Sequence, residues 1–323
     1  MVPGSEDRVG QGAEVRGWGC SCSFPGLGLV CALVSTVFFS LSSLFVKLVS
    51  DLHPLEITFF RCAAQLVCAL PPIIYKKLPL VPKDTPSRLF LLGRGMFGAV
   101  ALCMQFYAFH HIPLGDATTV IFSSPIFIAF FAWLILKESY GWFNFVVTLT
   151  TLTGVVLISK PSFIFGSVAA VPNPSEHLLG TLSAFGGAVF SALALVMIRK
   201  LGKTVHFFVH ITYLSVFGMI LTLGLLIALG EFKMLPCGSD RYYLIALGLC
   251  GVGGQTFLTK AFQLEKAAPV AIVRTMDIVF AFTWQFLFLG ELPALLSVGG
   301  AVFVMSSAIA IAVKKWLMER QKQ

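Results

Sequence analysis

The chain has 323 residues, of which 57% are hydrophobic and only 12% are charged, about half the charged share of soluble globular domains. A water-soluble fold of this length cannot hide so much apolar surface, so the composition excludes a soluble globular protein. The net charge of +8 would suggest nucleic acid for a soluble domain, but here most Lys and Arg residues stand in short loops beside apolar runs, where they indicate membrane topology.

In chain order, a polar and glycine-rich tail precedes ten apolar segments of roughly 17 to 24 residues, the length that crosses about 30 Å of hydrocarbon. The tail, residues 1–26, lacks the basic and apolar start of a signal peptide and is predicted to be disordered. The segments begin near Leu27, Leu55, Arg88, Leu114, Phe143, Leu178, Phe207, Tyr242, Ala267 and Ala294. Pro71 and Pro72 are expected to end the second segment. We therefore predict an all-α integral membrane protein with ten transmembrane helices.

The distribution of basic residues predicts the orientation of these helices. With ten spans both termini lie on one side, and fifteen of the 23 Lys and Arg residues fall on that side. Four fall on the opposite side and four lie within spans. The positive-inside rule then places both termini in the cytosol. One helix more or fewer would scatter the basic loops over both sides.

The two halves of the chain resemble each other. An offset of 153 positions brings Ala108-Phe109 onto Ala261-Phe262 and Glu138 onto Glu291. The halves are assigned as repeats of five helices, residues 27–160 and 178–314, with a linker at 161–177 and a cytosolic tail at 315–323. Five crossings invert the second copy, which is the 5+5 plan of many secondary transporters with a central site between the halves. The alternative is a duplication that serves only as a scaffold.

Several motifs carry a resemblance to a known family. They are SSLFVK (42–47), FRC (60–62), FSSPIF (122–127), LKE (136–138), GVGGQTFLTKAFQLEKAAPVAI (251–272) and RTMDIVFAF (274–282). The chain resembles the drug/metabolite transporter superfamily with two EamA-type repeats, and within it solute carrier family 35, subfamily G. The resemblance implies a ten-helix inverted-repeat fold, cytosolic termini and carriage of metabolites without covalent chemistry. It also implies the plasma membrane or the endoplasmic reticulum as location, with the Golgi as an alternative.

Ionisable side chains inside the spans mark the candidate site, because a charge in hydrocarbon costs several kcal/mol unless it faces water or a partner. Arg61, Arg94, Lys260 and Arg274 are the four cations. Polar residues are expected on the same helix faces. The predicted substrate-binding residues are Lys260, Arg274, Arg94, Arg61, Gln105, Thr256 and Gln263. For Arg61 the alternative is a bond to backbone carbonyls, and for Arg94 it is snorkelling to the interface.

Asp277 follows Arg274 by three residues, so the two are predicted to share one face of the ninth helix and to pair. Asp277 could also take up a proton during coupling. Four cations and one carboxylate leave a net positive site, which favours an anionic substrate held by guanidinium forks. A small di- or tricarboxylate such as citrate is preferred over a nucleotide sugar, the substrate class of other subfamilies of the resembled family.

Pro125 is predicted to interrupt the fourth helix and to act as a gate or hinge, against the alternative of a tolerated membrane proline. No metal site and no cofactor are predicted. The sequence contains no phosphate-binding loop and no credible catalytic triad, so an enzyme is not expected.

The leading function is a secondary-active or facilitative carrier that works by alternating access. A nucleotide-sugar transporter is one alternative, and a non-transporting membrane adaptor that regulates a partner is another. The predicted partners are a small anionic metabolite and the lipid bilayer, with a homodimer or a second membrane protein left open and nucleic acid excluded. Unpaired cations would favour transport, whereas cations satisfied by internal groups would favour the adaptor.

Overall fold

The computed structural model describes residues 26–48, 52–111, 117, 120–138, 141–159, 164, 174–230, 240–289 and 295–320. Outside them lie the predicted tail up to residue 25, most of the predicted linker, residues 321–323 of the predicted C-terminal tail, and Glu291. Every regular element in the described ranges is helical. The helices are α1 (Leu27–Leu48), α2 (Pro54–Tyr75), α3 (Thr85–His111), α4 (Ser124–Leu136), α5 (Trp142–Ser159), α6 (Pro174–Leu201), α7 (Phe207–Leu229), α8 (Asp240–Leu264), α9 (Ala267–Arg274), α10 (Met276–Leu289) and α11 (Leu295–Arg320).

Seven of the described helices are long and apolar enough to cross a bilayer, and they correspond to α1, α2, α3, α6, α7, α8 and α11. α4 and α5 are apolar but shorter. The predicted ninth span is divided between α9 and α10. The structure thus agrees with a multi-pass membrane protein made of helices, which was the prediction from composition.

Pro71 and Pro72 do not end the second helix, contrary to the prediction. α2 continues through both residues to Tyr75, and the Lys76 N–H closes the last turn on the Pro72 carbonyl at 3.1 Å. Proline removes only its own N–H donor, and inside a membrane neighbouring groups readily compensate for it. The first turn of α2 is capped by His53, whose Nδ1 accepts from the Leu55 N–H at 3.3 Å.

The helices pack in pairs that repeat between the two halves of the chain. α1 packs on α8 as α6 packs on α3, α2 packs on α8 as α7 packs on α3, and α1 packs on α10 as α6 packs on α4. α2 packs on α7 and α5 packs on α11, so these pairs map onto themselves. Exchanging the two halves therefore leaves the set of major helix contacts unchanged.

Small residues set the distances between the helices. A Cβ on Gly154 of α5 would lie 2.7 Å from the Gly300 carbonyl of α11, so the two backbones are nearly in contact. Apolar side chains gain little by leaving lipid for protein, and close backbone approach replaces that driving force. The largest core cluster surrounds α9, where Val270, Ala271, Ile272 and Val273 meet residues of α1, α4, α6, α8 and α11.

Two helix breaks share one hydrogen-bond pattern. At the first, the Ser123 N–H and hydroxyl both donate to the Val120 carbonyl, at 3.2 and 2.6 Å, and the Ile126 N–H donates to the Ser123 carbonyl. At the second, the Thr275 N–H and hydroxyl donate to the Ile272 carbonyl, at 3.1 and 2.6 Å, and the Ile278 N–H donates to the Thr275 carbonyl. The fourth and ninth segments are thus interrupted at equivalent places.

The break at Thr275 corrects the prediction that Arg274 and Asp277 share a face of one continuous helix. Arg274 is the last residue of α9, and Asp277 lies in the first turn of α10. The hydroxyl of Thr275 takes a backbone carbonyl that a continuous helix would use for its own ladder, which is how Ser and Thr compete with helix formation. Pro125 similarly lies at the start of α4, where its missing N–H costs nothing.

Candidate functional site

Arg94 lies deep in the helix bundle, and only 3% of its surface is exposed. Its Nη2 donates to Oε1 of Gln255 on α8 at 3.3 Å. Its Nε is buried and has no hydrogen-bond partner in the described part of the chain. A guanidinium that is held on one side and unsatisfied on the other can offer donors to an anion.

A polar cavity of about 50 Å³ lies next to Arg94, between α3, α6, α7 and α9. Arg274 and Gln105, both predicted site residues, line it together with Arg94. Ser191 of α6 adds a hydroxyl. The remaining lining is small or apolar: Gly98, Ala101, Leu102, Ala194, Leu195 and Leu214. The cavity therefore brings two guanidinium groups and two neutral polar side chains together in an otherwise apolar setting.

The charges of Arg274 and Asp277 interact across the break at Thr275, and the charge of Arg61 interacts with both. Nε of Arg274 and Oδ1 of Asp277 are buried without a hydrogen-bond partner among the described residues. The charges of Arg94 and Arg274 are also close enough to interact, and they repel each other. Among the described residues, this cluster contains one carboxylate and three guanidinium groups, so its net charge is positive.

Arg61 occupies the α2 side of this cluster. Its guanidinium carbon lies 5.7 Å from the centre of the Phe39 ring, a cation–π distance. A Cβ on Gly251 of α8 would lie 3.0 Å from both the Arg61 Nε and the Gln65 Nε2. Gln65 in turn accepts a hydrogen bond from the Ser215 hydroxyl at 3.4 Å. The absence of a side chain at Gly251 gives these polar groups their room.

Four predicted binding residues lie outside the cavity lining, and Arg61, described above, is one of them. The ammonium of Lys260 sits 4.5 Å from the centre of the Phe207 ring. Gln263 donates to the Val205 carbonyl at 2.8 Å and so holds α8 to the turn before α7. Thr256 is half-buried on α8 and does not line the cavity. Two groups of predicted residues result. The cavity and the adjoining charged cluster contain Arg61, Arg94, Arg274, Asp277 and Gln105, and outside both lie Lys260, Gln263 and Thr256.

Gln255, which accepts a hydrogen bond from Arg94, is a side chain of the candidate site that was not predicted from the sequence. The face chosen on this helix was Thr256, Lys260 and Gln263, one position away from the face that points inward. Gly251, Gln255 and Thr259 follow each other at spacings of four, a small and polar stripe on one side of the helix. The spacing of this stripe can be read from the sequence. The predicted face was a different one because it contains the charged residue Lys260.

A larger groove of about 310 Å³ lies between α3 and α7, but it does not suit a polar solute. Its lining is apolar: Met96, Ala99, Val100, Phe217, Ile220, Leu221, Gly224 and Leu225. Met96 and Ile220 are largely exposed, at 47% and 65%, as expected for a surface that faces lipid. Without a polar group to orient a ligand, this groove is not the candidate site.

An ion pair joins the two halves beyond the end of the cavity. Oε1 of Glu138 accepts from Nε of Arg199 at 3.0 Å, and Oε2 accepts from the Ala267 N–H at the start of α9 at 3.2 Å. Arg199 also donates to the Gln263 carbonyl at 3.4 Å. One carboxylate thus ties the end of α4 to α6 and α9.

Comparison with known proteins gives a consistent picture. Residues 26–160 and 178–313 each match the EamA-like transporter family. The chain is 46% identical to solute carrier family 35 member G1 of Homo sapiens, over 90% of this chain and 80% of that protein. It is 32% identical to the pseudopaline exporter CntI of Pseudomonas aeruginosa, over 89% of this chain and 96% of the exporter.

A solved crystal structure has the same fold. It superposes with a TM-score of 0.75 at 18% identity and covers 93% of this chain and all of its own. At that identity the likeness concerns the fold alone. The class of the protein is indicated by other findings. These are the family match in both halves and the sequence matches to a solute carrier and to an exporter.

Proposed function

This chain belongs to the EamA-like transporter family, whose members are membrane transporters and not enzymes, and on that premise we propose that it carries a small organic anion. The best candidate is a di- or tricarboxylate such as citrate. The observation that supports it is the pair Arg94 and Arg274, two guanidinium groups that line one cavity and whose Nε atoms have no hydrogen-bond partner among the described residues. Guanidinium forks match carboxylates in geometry and in charge.

The unpaired cations favour a carrier over a non-transporting adaptor. A structural arginine is normally satisfied by carboxylates or carbonyls, because an unpaired buried charge is costly. Among the described residues, Arg94 has the neutral amide of Gln255 as its hydrogen-bond partner, and Arg274 shares the carboxylate of Asp277 with Arg61. A substrate anion supplies the missing negative charge.

The size of the cavity favours a small anion over a nucleotide sugar. Its volume of about 50 Å³ exceeds the roughly 10 to 15 Å³ that a cavity needs on the same measure to hold one water. A carboxylate group fits that space far better than a nucleobase with a ribose. Further substrate atoms would enter as the halves open.

The mechanism we propose is alternating access between two inverted halves, residues 27–160 and 178–314, each of five spans. The equivalent breaks at Ser123 and Thr275 support it, since a broken helix can bend without disrupting a hydrogen-bonded ladder. Pro125 would keep the first break open. Asp277 would hold Arg274 while the site is empty, or take up a proton when the substrate anion binds.

Ten spans place both termini in the cytosol, with the linker 161–177 on the opposite side. The basic loops support this orientation. The proposed location is the plasma membrane or the endoplasmic reticulum, as the family resemblance implied. A homodimer is compatible with the exposed apolar face of α11, which lipid covers equally well.

The test is uptake of labelled citrate, succinate and a UDP-sugar into proteoliposomes. We expect carboxylate uptake by the native protein and at least a tenfold loss in Arg94→Gln and in Arg274→Gln, since each removes a charged hydrogen-bond donor. Lys203→Gln, at an exposed turn before α7, is the matched control and should leave uptake unchanged.

Three results would change the assignment. Uptake of the UDP-sugar alone would move it to the nucleotide-sugar carriers. Silence for all three solutes in a folded protein would favour the adaptor. Carboxylate uptake that survives both arginine changes would leave the carrier function and refute the site.

A further inference from the structure

Buried polar atoms without partners collect in one region of the described structure. Such atoms belong to six residues: Gln65, Arg94, His210, Thr259, Arg274 and Asp277. Arg94, Arg274 and Asp277 are part of the proposed site, and Gln65 lies beside Arg61. His210 and Thr259 have no place in the mechanism so far.

Both residues are fully enclosed. His210 on α7 and Thr259 on α8 each have 0% of their surface exposed. Neither imidazole nitrogen of His210 has a hydrogen-bond partner among the described residues, and neither does the Thr259 hydroxyl. Buried polar groups are nearly always satisfied, so two neighbouring exceptions need a reason.

Each of the two residues lies one helical turn from a residue of the candidate site. Gln255, which binds Arg94, precedes Thr259 by one helical turn on the same face of α8. His210 precedes Leu214, a cavity-lining residue, by one turn of α7. Among the described groups, Arg94 and the imidazole of His206 act electrostatically on the imidazole of His210, and Arg94 has the larger effect.

Beyond these residues the path to the surface is closed by contacts already described. Lys260 lies against Phe207, and Gln263 binds the Val205 carbonyl. The ion pair of Arg199 with Glu138 lies next to Gln263. Under the proposed topology this is the side that both termini face, and it is called the cytosolic side below.

We propose that His210 and Thr259, together with Arg94, form a second anion-binding subsite between the central cavity and the cytosolic side. This proposal rests on the proposed function, because the subsite is a station on the route of a transported anion. An imidazole in either protonation state has at least one N–H donor, and the hydroxyl and the free Nε–H of Arg94 supply two more. Three donors on three helices, α3, α7 and α8, could together bind an oxyanion of carboxylate size.

The subsite explains why polar residues are kept where apolar ones would pack as well. In the described structure each of the three groups has a buried polar atom without a hydrogen-bond partner. When the contacts around Gln263 and Arg199 separate, water and then the substrate reach them. The anion would pass from Arg274 to Arg94 and then to His210 and Thr259 before it leaves.

The first experiment does not depend on the identity of the substrate. His210→Cys and Thr259→Cys are treated in proteoliposomes with an anionic, membrane-impermeant methanethiosulfonate, and modification is read at each position by peptide mass spectrometry. The controls are Ile211→Cys and Leu258→Cys, whose native side chains are 1% and 2% exposed and adjoin the test positions on other faces. We expect both test positions to react from the cytosolic side at least tenfold faster than the controls.

The second experiment measures the substrate. In His210→Ala we expect the half-saturating citrate concentration on the cytosolic side to rise about tenfold and that on the opposite side to stay within twofold, as for loss of one hydrogen bond to a charged group. His210→Asn keeps an N–H donor and should recover most of the affinity.

The outcomes separate the two proposals. Test positions that react no faster than the controls overturn the subsite, even if citrate is transported. Fast reaction in a protein that moves no carboxylate supports the route and refutes only the proposed substrate. Equal loss of citrate affinity on both sides in His210→Ala would also overturn the subsite, because it would place His210 in the central site.

Discussion

At the scale of single residues, the hydrogen bond between Arg94 and Gln255 decides the chemistry of the cavity. The amide orients the guanidinium without neutralising it, so the charge remains for a ligand. A carboxylate at the same position would make an ion pair and remove that charge from the site. Under the proposed function, the neutral residue at 255 therefore leaves the charge of Arg94 available to a substrate anion.

Gln255→Glu tests this role directly. We expect the melting temperature to be unchanged or higher, because the new carboxylate pairs with Arg94, whereas citrate uptake should fall at least tenfold as the internal carboxylate competes with the substrate. Uptake in proteoliposomes and thermal unfolding in detergent are the two measurements.

The matched control is Gln263→Glu, the same chemical change on the same helix at a side chain that binds the Val205 carbonyl and not Arg94. It removes the donor to the Val205 carbonyl, so the melting temperature should fall while the affinity for citrate is kept. If both variants lost stability and kept affinity, Gln255 would be a packing residue and the cavity would not be the binding site.

At the scale of the elements, the two helix breaks are the main departure from regular structure. Each has a hydroxyl that bonds the carbonyl three residues earlier, at 2.6 Å in Ser123 and in Thr275. A local bond of this kind lets the backbone leave the helical ladder without an unpaired carbonyl. Both breaks adjoin candidate functional residues, Pro125 in the first half and Arg274 with Asp277 in the second.

Thr275→Ala should strengthen the helix across the second break. Alanine loses the competing hydroxyl and has the highest helix propensity, so we expect the amides of residues 275–278 to exchange more slowly with deuterium. Transport should slow several-fold with little change in half-saturation, since the break serves movement rather than binding. Thr151→Ala is the control, because the Thr151 hydroxyl bonds the Val147 carbonyl within the unbroken α5. Faster exchange at 275–278 would contradict the proposed role of the break.

The carboxylate of Glu138 combines an ion pair with a cap for α9. Because both partners are partly exposed, at 24% for Arg199 and 17% for Glu138, the ion pair contributes about 1 kcal/mol or less. The bond to the Ala267 N–H contributes about 1 kcal/mol, as typical helix caps do.

Glu138→Ala should therefore lower the free energy of unfolding more than Glu138→Gln, which keeps an acceptor for the Ala267 N–H. We expect about 1 to 2 kcal/mol for alanine, and a coupling with Arg199→Ala of about 0.5 to 1 kcal/mol in a double-mutant cycle. Unfolding in mixed micelles measures both. Equal effects of alanine and glutamine would show that capping of α9 contributes nothing.

At the scale of the whole molecule, the helix contacts keep their pattern when the halves are exchanged. The two halves therefore interlock through equivalent surfaces, and no half has a separate core. We therefore expect a second arrangement of similar packing to be accessible, because each major contact among the described helices has a counterpart in the other half. This symmetry is what alternating access requires.

The proposed topology of ten spans predicts the side of each described loop. Single cysteines at Lys83, Gly141 and Lys203 should react with an impermeant maleimide on the side of the terminal tags, and a cysteine at Arg241 on the opposite side. All four positions are exposed. The ten-span assignment places three spans between Arg241 and the C-terminus, so the two lie on opposite sides. Labelling of Arg241→Cys on the side of the tags would require an even number of spans there and would refute the ten-span assignment.

Much of the site was predictable and part of it was not. Charged residues in hydrophobic segments stand out in the sequence, so Arg61, Arg94, Arg274 and Asp277 could be named before the fold was known. Lys260 was named by the same rule, but its long side chain reaches an aromatic ring near the end of α8. Neutral polar residues such as Gln255 and His210 carry no comparable signal, because many of them satisfy a backbone group nearby.

The amino-acid sequence by itself determined that the protein lives in a membrane, that it is made of helices, and that it has two related halves with cations buried in them. The membrane location and the helices follow from composition and periodicity, which can be read for each segment separately. The two related halves follow from the repeat at an offset of 153 positions. Only the tertiary structure decided which faces meet, that Gln255 and not Thr256 points at Arg94, and that the ninth segment breaks between Arg274 and Asp277. Those facts depend on contacts between helices far apart in the chain, and such contacts are set by packing and not by any local pattern.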